Sequence, residues 1–457
     1  MDKTERKKQP LPKWRCILLG LVLIAMVSLA AFMLVGYFIE WQLGKEIVKI
    51  SQAGEPVTFA DLQPVPVLGA IGNDAAFYYV EALSSIPPGD VENLKGIRIF
   101  YYKNIVSLPP NQFPGDTREK VAQNLAGLKP ILEKLDKSAD LPLSSFDIGI
   151  EQGMEVCQTR LRSARIAVLL LSLRTLESIM RGEGDAAVNS TITSLKMMRI
   201  FDFNPTMTVY TTKILFVAQL CQDIHILLEH SRPSDKSLLK LKKVLSEAIG
   251  TDSLERMFYA ERVYQIELGR NLIPGKISSR LLQEKVPDLP ERLSLPRNRW
   301  GRLRLRQLAS GFFRDMAWLI TSVRNPWPAP LDAITAHVAV IKEKSNSLLT
   351  NSAASISLTA ETVAFVRCTT LAIAIERYRR KHDQLPPSLD DMVPNYIDSV
   401  PLDPFTGNKL LYNYDKEGYV IYSAGNNRQD DGGLVTRKPD QPVRPDYGIR
   451  IRFSQPQ

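Results

Sequence analysis

The stretch VPLDPFTGNKLLYNYDKEGYVIYSAG, residues 400–425, decides how the C-terminal part of the chain folds. Branched and aromatic residues dominate Leu410–Tyr414 and Tyr419–Tyr422, which is typical of short β-strands. Asp415–Gly418 lies between them and carries the Asp and Gly residues that favour a hairpin turn. The pattern therefore predicts an antiparallel pair of strands, and Ile449–Phe453 is a candidate for a further strand.

A long helix is predicted before these strands, over about Ser355–His382. Its apolar residues recur at helical spacing and mark one face. They are Leu358, Phe365, Cys368, Ala372, Ile375 and Tyr378. An amphipathic helix needs a partner for its apolar face, and three short antiparallel strands would provide one. The turn formers Asp403-Pro404 and Thr406-Gly407-Asn408 would fix the chain between helix and sheet.

An ordered series of motif residues runs through about residues 355–453. Its members are Glu376, Tyr378, Leu385-Pro386, Leu389, Tyr396, Pro401, Asp403-Pro404-Phe405, Gly407-Asn408, Tyr412, Ser423, Gly425 and Gly432-Gly433. In order and spacing this series resembles the extracytoplasmic domain of the type II secretion system major pseudopilin. The resemblance implies a small α+β domain over residues 346–457, in which a long helix packs on a short antiparallel sheet.

The resemblance also implies a calcium site. In that family the loop after the Ser-x-Gly motif binds calcium, and the matching residues here are Asn427, Asp430 and Asp431, with Asp446 as a further candidate that returns to the site. Calcium takes six to eight oxygen ligands, which closely spaced Asp and Asn residues on a Gly-containing loop can supply in part. Asn427 stands where the family commonly has Asp, which removes one charge that the Asp430-Asp431 pair could replace. The alternative is a polar hairpin loop that binds no ion.

Cys16–Ile39 is a run of 24 residues without a charged side chain. A helix of that length crosses the ~30 Å hydrocarbon core of a bilayer. The run is longer than the apolar region of a signal peptide and lacks a small-residue cleavage site, so an uncleaved transmembrane signal anchor is predicted. The basic tail, residues 1–15, indicates a cytoplasmic N-terminus, with residues 40–457 outside. We therefore expect a single-pass protein of the inner (cytoplasmic) membrane, with the lipid bilayer as its partner along residues 16–39.

The anchor differs from that of a pseudopilin. Gly20-Leu21 is not followed by the Glu that a prepilin carries five residues into its helix, and a large domain separates the span from the pseudopilin-like helix. Processing by prepilin peptidase and assembly into a pseudopilus are therefore not expected. As a whole, the layout looks like a family of uncharacterised bacterial membrane-anchored proteins, and Gly54–Thr58 and Asn73–Leu83 contribute to this likeness.

Residues 40–345 are predicted to form a mainly helical extracytoplasmic domain, with a Pro- and Arg-rich connection near residues 271–300. One helix is expected from Thr117 to about Ser138, and another over Thr159–Met180. The second is very apolar, but its four arginines argue against a further membrane span, because each charge costs about 2.5–3.5 kcal/mol at a helix centre. The helical hairpins have no fixed period, so an irregular bundle is predicted rather than a repeat array.

Other polar residues offer weaker signals of chemistry. The arginine cluster of Arg292–Arg306 could bind anionic lipid head groups or an acidic partner, or could simply be a solvated linker. His225 and His230 are five residues apart on different faces of a helix, so no metal pair is predicted. Cys157, Cys221 and Cys368 lie in apolar helical stretches, which favours buried thiols over a disulfide pair.

These observations favour a structural or interaction role at the cell envelope, linked to secretion through the pseudopilin-like domain and exercised on an unknown envelope protein. The chain carries no HExxH, GxSxG or P-loop pattern, so an enzyme is not predicted. The formal net charge is +9, of which residues 1–15 supply four, so nucleic acid is not expected as a partner. Two alternatives stay open: a ligand-binding protein or enzyme with its site in the helical domain, and a membrane-tethered sensor that uses Arg292–Arg306.

Overall fold

The computed structural model describes most of the chain after the predicted span. The described residues are 41, 44–62, 74–85, 115–143, 146–147, 149, 154–272, 312–341, 347–435 and 446–453. The basic tail (1–15), the predicted membrane span (16–39) and the Arg292–Arg306 cluster lie outside the described residues. The predicted connection near 271–300 also lies outside them from residue 273 onward.

Eleven helices are labelled here in chain order within the described residues. They are α1 Phe59–Leu62, α2 Ala75–Ser84, α3 Gly115–Gly127, α4 Lys129–Ala139, α5 Met154–Met180, α6 Gly184–Met197, α7 Met207–His230, α8 Asp235–Ser246, α9 Ser253–Leu272, α10 Ala329–Ile341 and α11 Ser347–His382. Residues 44–52 and 312–323 are helical as well. The structure thus confirms a mainly helical fold with a small antiparallel sheet.

Local signals explain where several helices begin. The Ser234 hydroxyl accepts a hydrogen bond from the Ser237 backbone N–H and caps α8, and Asp74 caps α2 in the same way through Ala76. The prediction of a single helix from Thr117 to Ser138 is wrong, because the chain forms α3 and α4 with a break between them. Pro130 lacks an N–H group and is tolerated in the first turn of a helix, so a new helix begins beside it.

The sheet contains three strands, β1 Leu411–Tyr414, β2 Gly418–Ser423 and β3 Tyr447–Arg452, in the order β1-β2-β3. Both pairs are antiparallel, and the predicted hairpin between β1 and β2 is confirmed. The Asp415 carboxylate accepts hydrogen bonds from the backbone N–H groups of Glu417 and Gly418 and closes that hairpin.

Helix α11 is the central element of the fold. It packs against α7, α8 and α10 as well as against β2 and β3, and Leu371–Ile375 is buried on every side. One continuous hydrophobic core includes residues of α5, α6 and α7 together with residues of α11 and the sheet. The predicted division between residues 345 and 346 therefore separates two segments that share a core.

Among the described residues, one helical segment is long and apolar enough to cross a membrane, and it is Asn351–His382 within α11. Most of its apolar surface is buried against other helices and the sheet, which is the environment of a core helix. Its fully buried Glu376 accepts a hydrogen bond from the Tyr419 hydroxyl at 3.0 Å and an ion-pair hydrogen bond from Arg379 at 2.7 Å. The three cysteines at 157, 221 and 368 are buried and free, as predicted.

Candidate functional site

Three loops meet beside the sheet and form what we call the turn cluster, residues 403–408, 423–435 and 446. The buried carboxylate of Asp403 holds two of these loops together. Its Oδ1 accepts hydrogen bonds from the Phe405 N–H at 2.8 Å and the Ser423 hydroxyl at 2.7 Å, and its Oδ2 accepts from the Ala424 N–H at 3.0 Å. The Asp-Pro-Phe turn is therefore fixed to the end of β2.

The end of the second loop closes over Asp446, which directly precedes β3 and is fully buried. Its Oδ2 accepts hydrogen bonds from the backbone N–H groups of Gly433 at 2.9 Å and Leu434 at 3.0 Å. Its Oδ1 is buried and has no hydrogen-bond partner among the residues that the structure describes. Burial raises the pKa of Asp446, the nearby Asp431 carboxylate adds to the rise, and the loop N–H groups oppose it.

A glycine is required where the loop meets the sheet. Gly433 has a φ of +73°, and a Cβ atom there would lie 3.0 Å from Val420 Cγ1 and 3.1 Å from Tyr422 Cε1. Gly432 has a similar φ of +75° but faces open space. The Gly432-Gly433 motif thus lets the backbone turn and pack closely against β2. In this position the Gly433 N–H donates a hydrogen bond to Asp446.

The other predicted ligands are engaged with neighbouring groups. The Asp430 carboxylate accepts from the Tyr422 hydroxyl and the Gly432 N–H, both at 2.9 Å. The Asn427 amide donates to Asp431 Oδ2 at 2.7 Å. Asp431 links the two ends of the loop, because it contacts Asn427 and its charge reaches Asp446.

The four predicted calcium ligands fit an ion only in part. The unpaired Oδ1 of Asp446 is the observation that fits, since a buried carboxylate oxygen without a donor can accept a cation. Asp431 is the second carboxylate at that position. Within the described residues, no three Asp, Glu, His or Cys side chains are arranged to hold a metal ion. In this conformation Asn427 and Asp430 are used by the loop itself, so the ligand set is incomplete.

A surface pocket of about 400 Å³ opens between the turn cluster and α10. One wall is formed by α10 residues 331–336, and the other by Phe405, Asn426 and Arg428. Arg428 forms an ion pair with Asp332 across the pocket and has a φ of +57°. Sequence reasoning missed this pocket, because its two walls lie far apart in the chain and neither carries a recognisable motif.

No family model, curated protein or solved structure matches this chain. The resemblance to the pseudopilin therefore depends on the motif residues alone.

Proposed function

We propose that this chain is a membrane-anchored envelope protein with a structural or interaction role, and that its C-terminal unit is a pseudopilin-like docking element related to type II secretion. In this proposal residues 16–39 span the inner membrane, residues 1–15 lie in the cytoplasm, and the rest lies outside. The bilayer and an envelope protein are its partners.

The observation that carries the proposal is the connection made by Asp403. The motif residues that carry the resemblance are distant in sequence, yet the Asp-Pro-Phe turn and the Ser423-Ala424-Gly425 loop are joined by one buried carboxylate. Both lie beside a three-stranded antiparallel sheet that packs on the long helix α11. This is the arrangement that the resemblance implies for the C-terminal unit.

The segment that follows the predicted anchor supports a structural role. Glu55 forms an ion pair with the almost fully buried Arg262 of α9 at 2.7 Å, and Arg262 also donates to the Pro56 carbonyl. Arg256 of the same helix donates to the Leu62 carbonyl at 3.2 Å. A chain fixed to the body by buried contacts so soon after the membrane would hold the body close to the bilayer.

Site-specific photo-crosslinking in native membranes tests the proposal. A photoreactive residue would replace exposed Thr335, in the pocket wall, or exposed Leu434, in the turn cluster. Leu239 on α8 is the control, since it is half exposed and belongs to a different surface. We expect both test positions to capture the same envelope protein and the control to capture none. Failure of both test positions, or equal capture from the control, would contradict the proposal.

We further propose that calcium completes the loop at Asp431 and Asp446, with Asn427 and Asp430 turning toward the ion. The test is thermal melting of the solubilised full chain with calcium, with magnesium and with chelator. The full chain is needed because α11 shares its core with the helical body. A stabilisation by calcium that Asp446→Asn abolishes is expected, and equal melting in all three conditions would remove calcium from the proposal.

The pocket favours a second candidate function, the binding of a small ligand. Its walls combine the apolar side chains of Leu331 and Phe405 with the Arg428–Asp332 ion pair, and α10 brings the helical domain to it. A ligand that occupies the pocket would protect α10 residues 331–336 from hydrogen exchange, whereas a protein partner would protect the turn cluster as well.

A further inference from the structure

The pocket between the turn cluster and α10 has a volume of about 400 Å³. Small-molecule sites span roughly 300–1,000 Å³, so a pocket of this size suits a small ligand. Its two walls are fixed by contacts of their own. The Phe405 ring stacks on Tyr447 with centroids 5.6 Å apart, and the N–H of Leu331 donates to the Pro328 carbonyl at 2.9 Å in the first turn of α10.

Two opposite charges lie side by side in the pocket, Arg428 of the turn cluster and Asp332 of α10. Their side chains are 43% and 51% exposed, so the ion pair is open to solvent and contributes little to stability. Arg428 donates one N–H group to Asp332 Oδ1. A guanidinium has five N–H donors and a carboxylate can accept several hydrogen bonds, so both groups keep capacity for a ligand.

The other lining residues supply neutral groups. Asn426 Nδ2 donates to the Tyr447 hydroxyl at 3.2 Å, so the amide oxygen is the group that Asn426 can offer to a donor on a ligand. Thr335 is exposed on α10 and adds a hydroxyl group. Leu331 and Phe405 are buried and form the apolar part of the lining.

The backbone at Arg428 adopts a conformation that few arginines adopt. Its φ is +57°, and its N–H donates to the Gly425 carbonyl at 3.1 Å. The other non-glycine residues with positive φ among those described are Asn204 and Asp383, which belong to the types that tolerate it best. Strained residues of this kind concentrate at functional sites. A ligand that needs the guanidinium at this position would account for the conformation.

We propose that the pocket binds a zwitterionic α-amino acid with an apolar side chain. Arg428 binds its carboxylate, and Asp332 accepts hydrogen bonds from its ammonium group, with the amide oxygen of Asn426 as a second acceptor. The apolar side chain of the ligand packs on Leu331 and Phe405. This inference rests on the small-ligand function proposed for the pocket and names the class of ligand.

The adjacent opposite charges favour a zwitterion over a simple ion. An anion on Arg428 would be repelled by Asp332 and would have to compete with it, and a cation on Asp332 would meet the same obstacle at Arg428. An α-amino acid carries both charges on one carbon atom, so it can pair with both side chains and leaves neither without a partner.

Calorimetric titration of the solubilised full chain with L-leucine, L-methionine and L-phenylalanine tests the ligand class. The amino acid that binds most tightly is then compared with its N-acetyl derivative, which lacks the ammonium charge, and its amide, which lacks the carboxylate. We expect each derivative to bind about 10-fold more weakly, because each loses charge-assisted hydrogen bonds. Equal binding of either derivative, or no binding by any of the three amino acids, would overturn the proposal.

Charge variants distinguish recognition from a structural role of the ion pair. Asp332→Asn should weaken binding about 10-fold and should no longer distinguish the amino acid from its N-acetyl derivative. Arg428→Gln should likewise lose the preference for the carboxylate over the amide. Asp390→Asn is the matched control, since Asp390 pairs with Lys409 outside the pocket, and it should keep the affinity and both preferences. A folded Asp332→Asn variant that still rejects the N-acetyl derivative would contradict the proposal.

Two further measurements separate this inference from the proposed function. The bound amino acid should protect α10 residues 331–336 from hydrogen exchange, and protection confined to other parts of the chain would overturn the assignment. If a solute of another class protects these residues and the amino acids do not, the pocket is a ligand site and the amino-acid proposal is wrong. Crosslinking from Thr335 to an envelope protein tests the interaction role separately, because it requires no amino acid.

Discussion

Two buried aspartates in the turn cluster, Asp403 and Asp446, differ in how many of their carboxylate oxygens accept hydrogen bonds. Asp403 accepts hydrogen bonds on both oxygens, from a hydroxyl and two backbone N–H groups that belong to two different loops. Asp446 accepts backbone N–H groups on one oxygen, while its other oxygen is buried without a partner among the described residues. The two carboxylates belong to the same set of loops, yet one is complete and the other is not.

This difference in hydrogen bonding indicates which aspartate has a structural role and which could bind a ligand. A fully paired buried carboxylate stabilises the loops that it joins, since each of its donors would be left unsatisfied without it. A half-paired carboxylate costs stability and persists where the surrounding structure enforces it or where a ligand completes it. We therefore infer that Asp403 stabilises the turn cluster, and that Asp446 is the carboxylate available to bind a ligand.

The largest loss of stability is expected from removing the carboxylate of Asp403. Asp403→Ala would leave the Phe405 N–H, the Ala424 N–H and the Ser423 hydroxyl without their acceptor, which we expect to lower the free energy of unfolding by about 3 kcal/mol. Urea unfolding of the solubilised chain, followed by tyrosine fluorescence, would measure it.

Asp390→Ala is the matched control. Asp390 pairs with Lys409, and both side chains are more than half exposed, so its removal should change stability by less than about 0.5 kcal/mol. Similar losses in the two variants would mean that Asp403 does not brace the turn cluster.

Local signals in the sequence predicted most of the sheet and the Asp403 turn, but not the contacts between distant segments. The β1–β2 hairpin follows from Asp415–Gly418, since the turn needs only neighbouring residues. The break at Pro130 has a local cause as well, since proline suits the first turn of a helix and disrupts a helix interior. The Arg428–Asp332 ion pair joins a loop to helix α10, 96 residues away in the chain, and no local pattern specifies such a partner.

The histidines near the C-terminal end of α7 illustrate the same limit. The spacing of His225 and His230 predicts no metal pair, but it does not predict the hydrogen bond between His225 and the Arg450 backbone, which depends on the packing of α7 against the sheet. The incomplete pairing of Asp446 was also invisible in the sequence, because it depends on which backbone groups the loop presents. Burial and hydrogen bonding depend on the folded chain. The sequence therefore indicates which residues lie at the site, but not which of their polar atoms are buried or hydrogen-bonded.

The second prediction tests the loop that presents N–H groups to Asp446. Gly433→Ala combines strain at φ +73° with crowding against Val420 and Tyr422, and we expect a loss of about 2 kcal/mol. Gly432→Ala has the same strain at φ +75° but meets open space, so about 1 kcal/mol is expected. Unfolding midpoints of the two variants would be compared, and an equal loss would mean that close packing of Gly433 on the sheet is unimportant.

The third prediction concerns the charge of the loop. Asn427→Asp adds a carboxylate beside Asp431, which should increase calcium affinity about 10-fold, or ~1.4 kcal/mol, if the loop binds the ion as proposed. Gln429→Glu adds the same charge to the same exposed loop at a position that the resemblance does not assign. Calcium titrations followed by melting temperature should show a gain for the first variant and little for the second. Equal gains would indicate general charge attraction.

The smallest effect is the pH dependence that Asp446 itself contributes. Because its pKa is raised in the folded chain, the folded state binds this proton more readily than the unfolded state does. The contribution of Asp446 to stability therefore increases as pH falls from neutral through the folded pKa, whereas His225 and His230, whose pKa values are lowered by burial, contribute in the opposite direction. Comparison with Asp446→Asn in chelator isolates the contribution of Asp446 to the pH dependence of stability, because the variant keeps the histidines. We expect the natural chain to gain stability relative to the variant as pH falls from 7 toward the folded pKa of Asp446, and calcium to cancel that gain by stabilising the charged carboxylate.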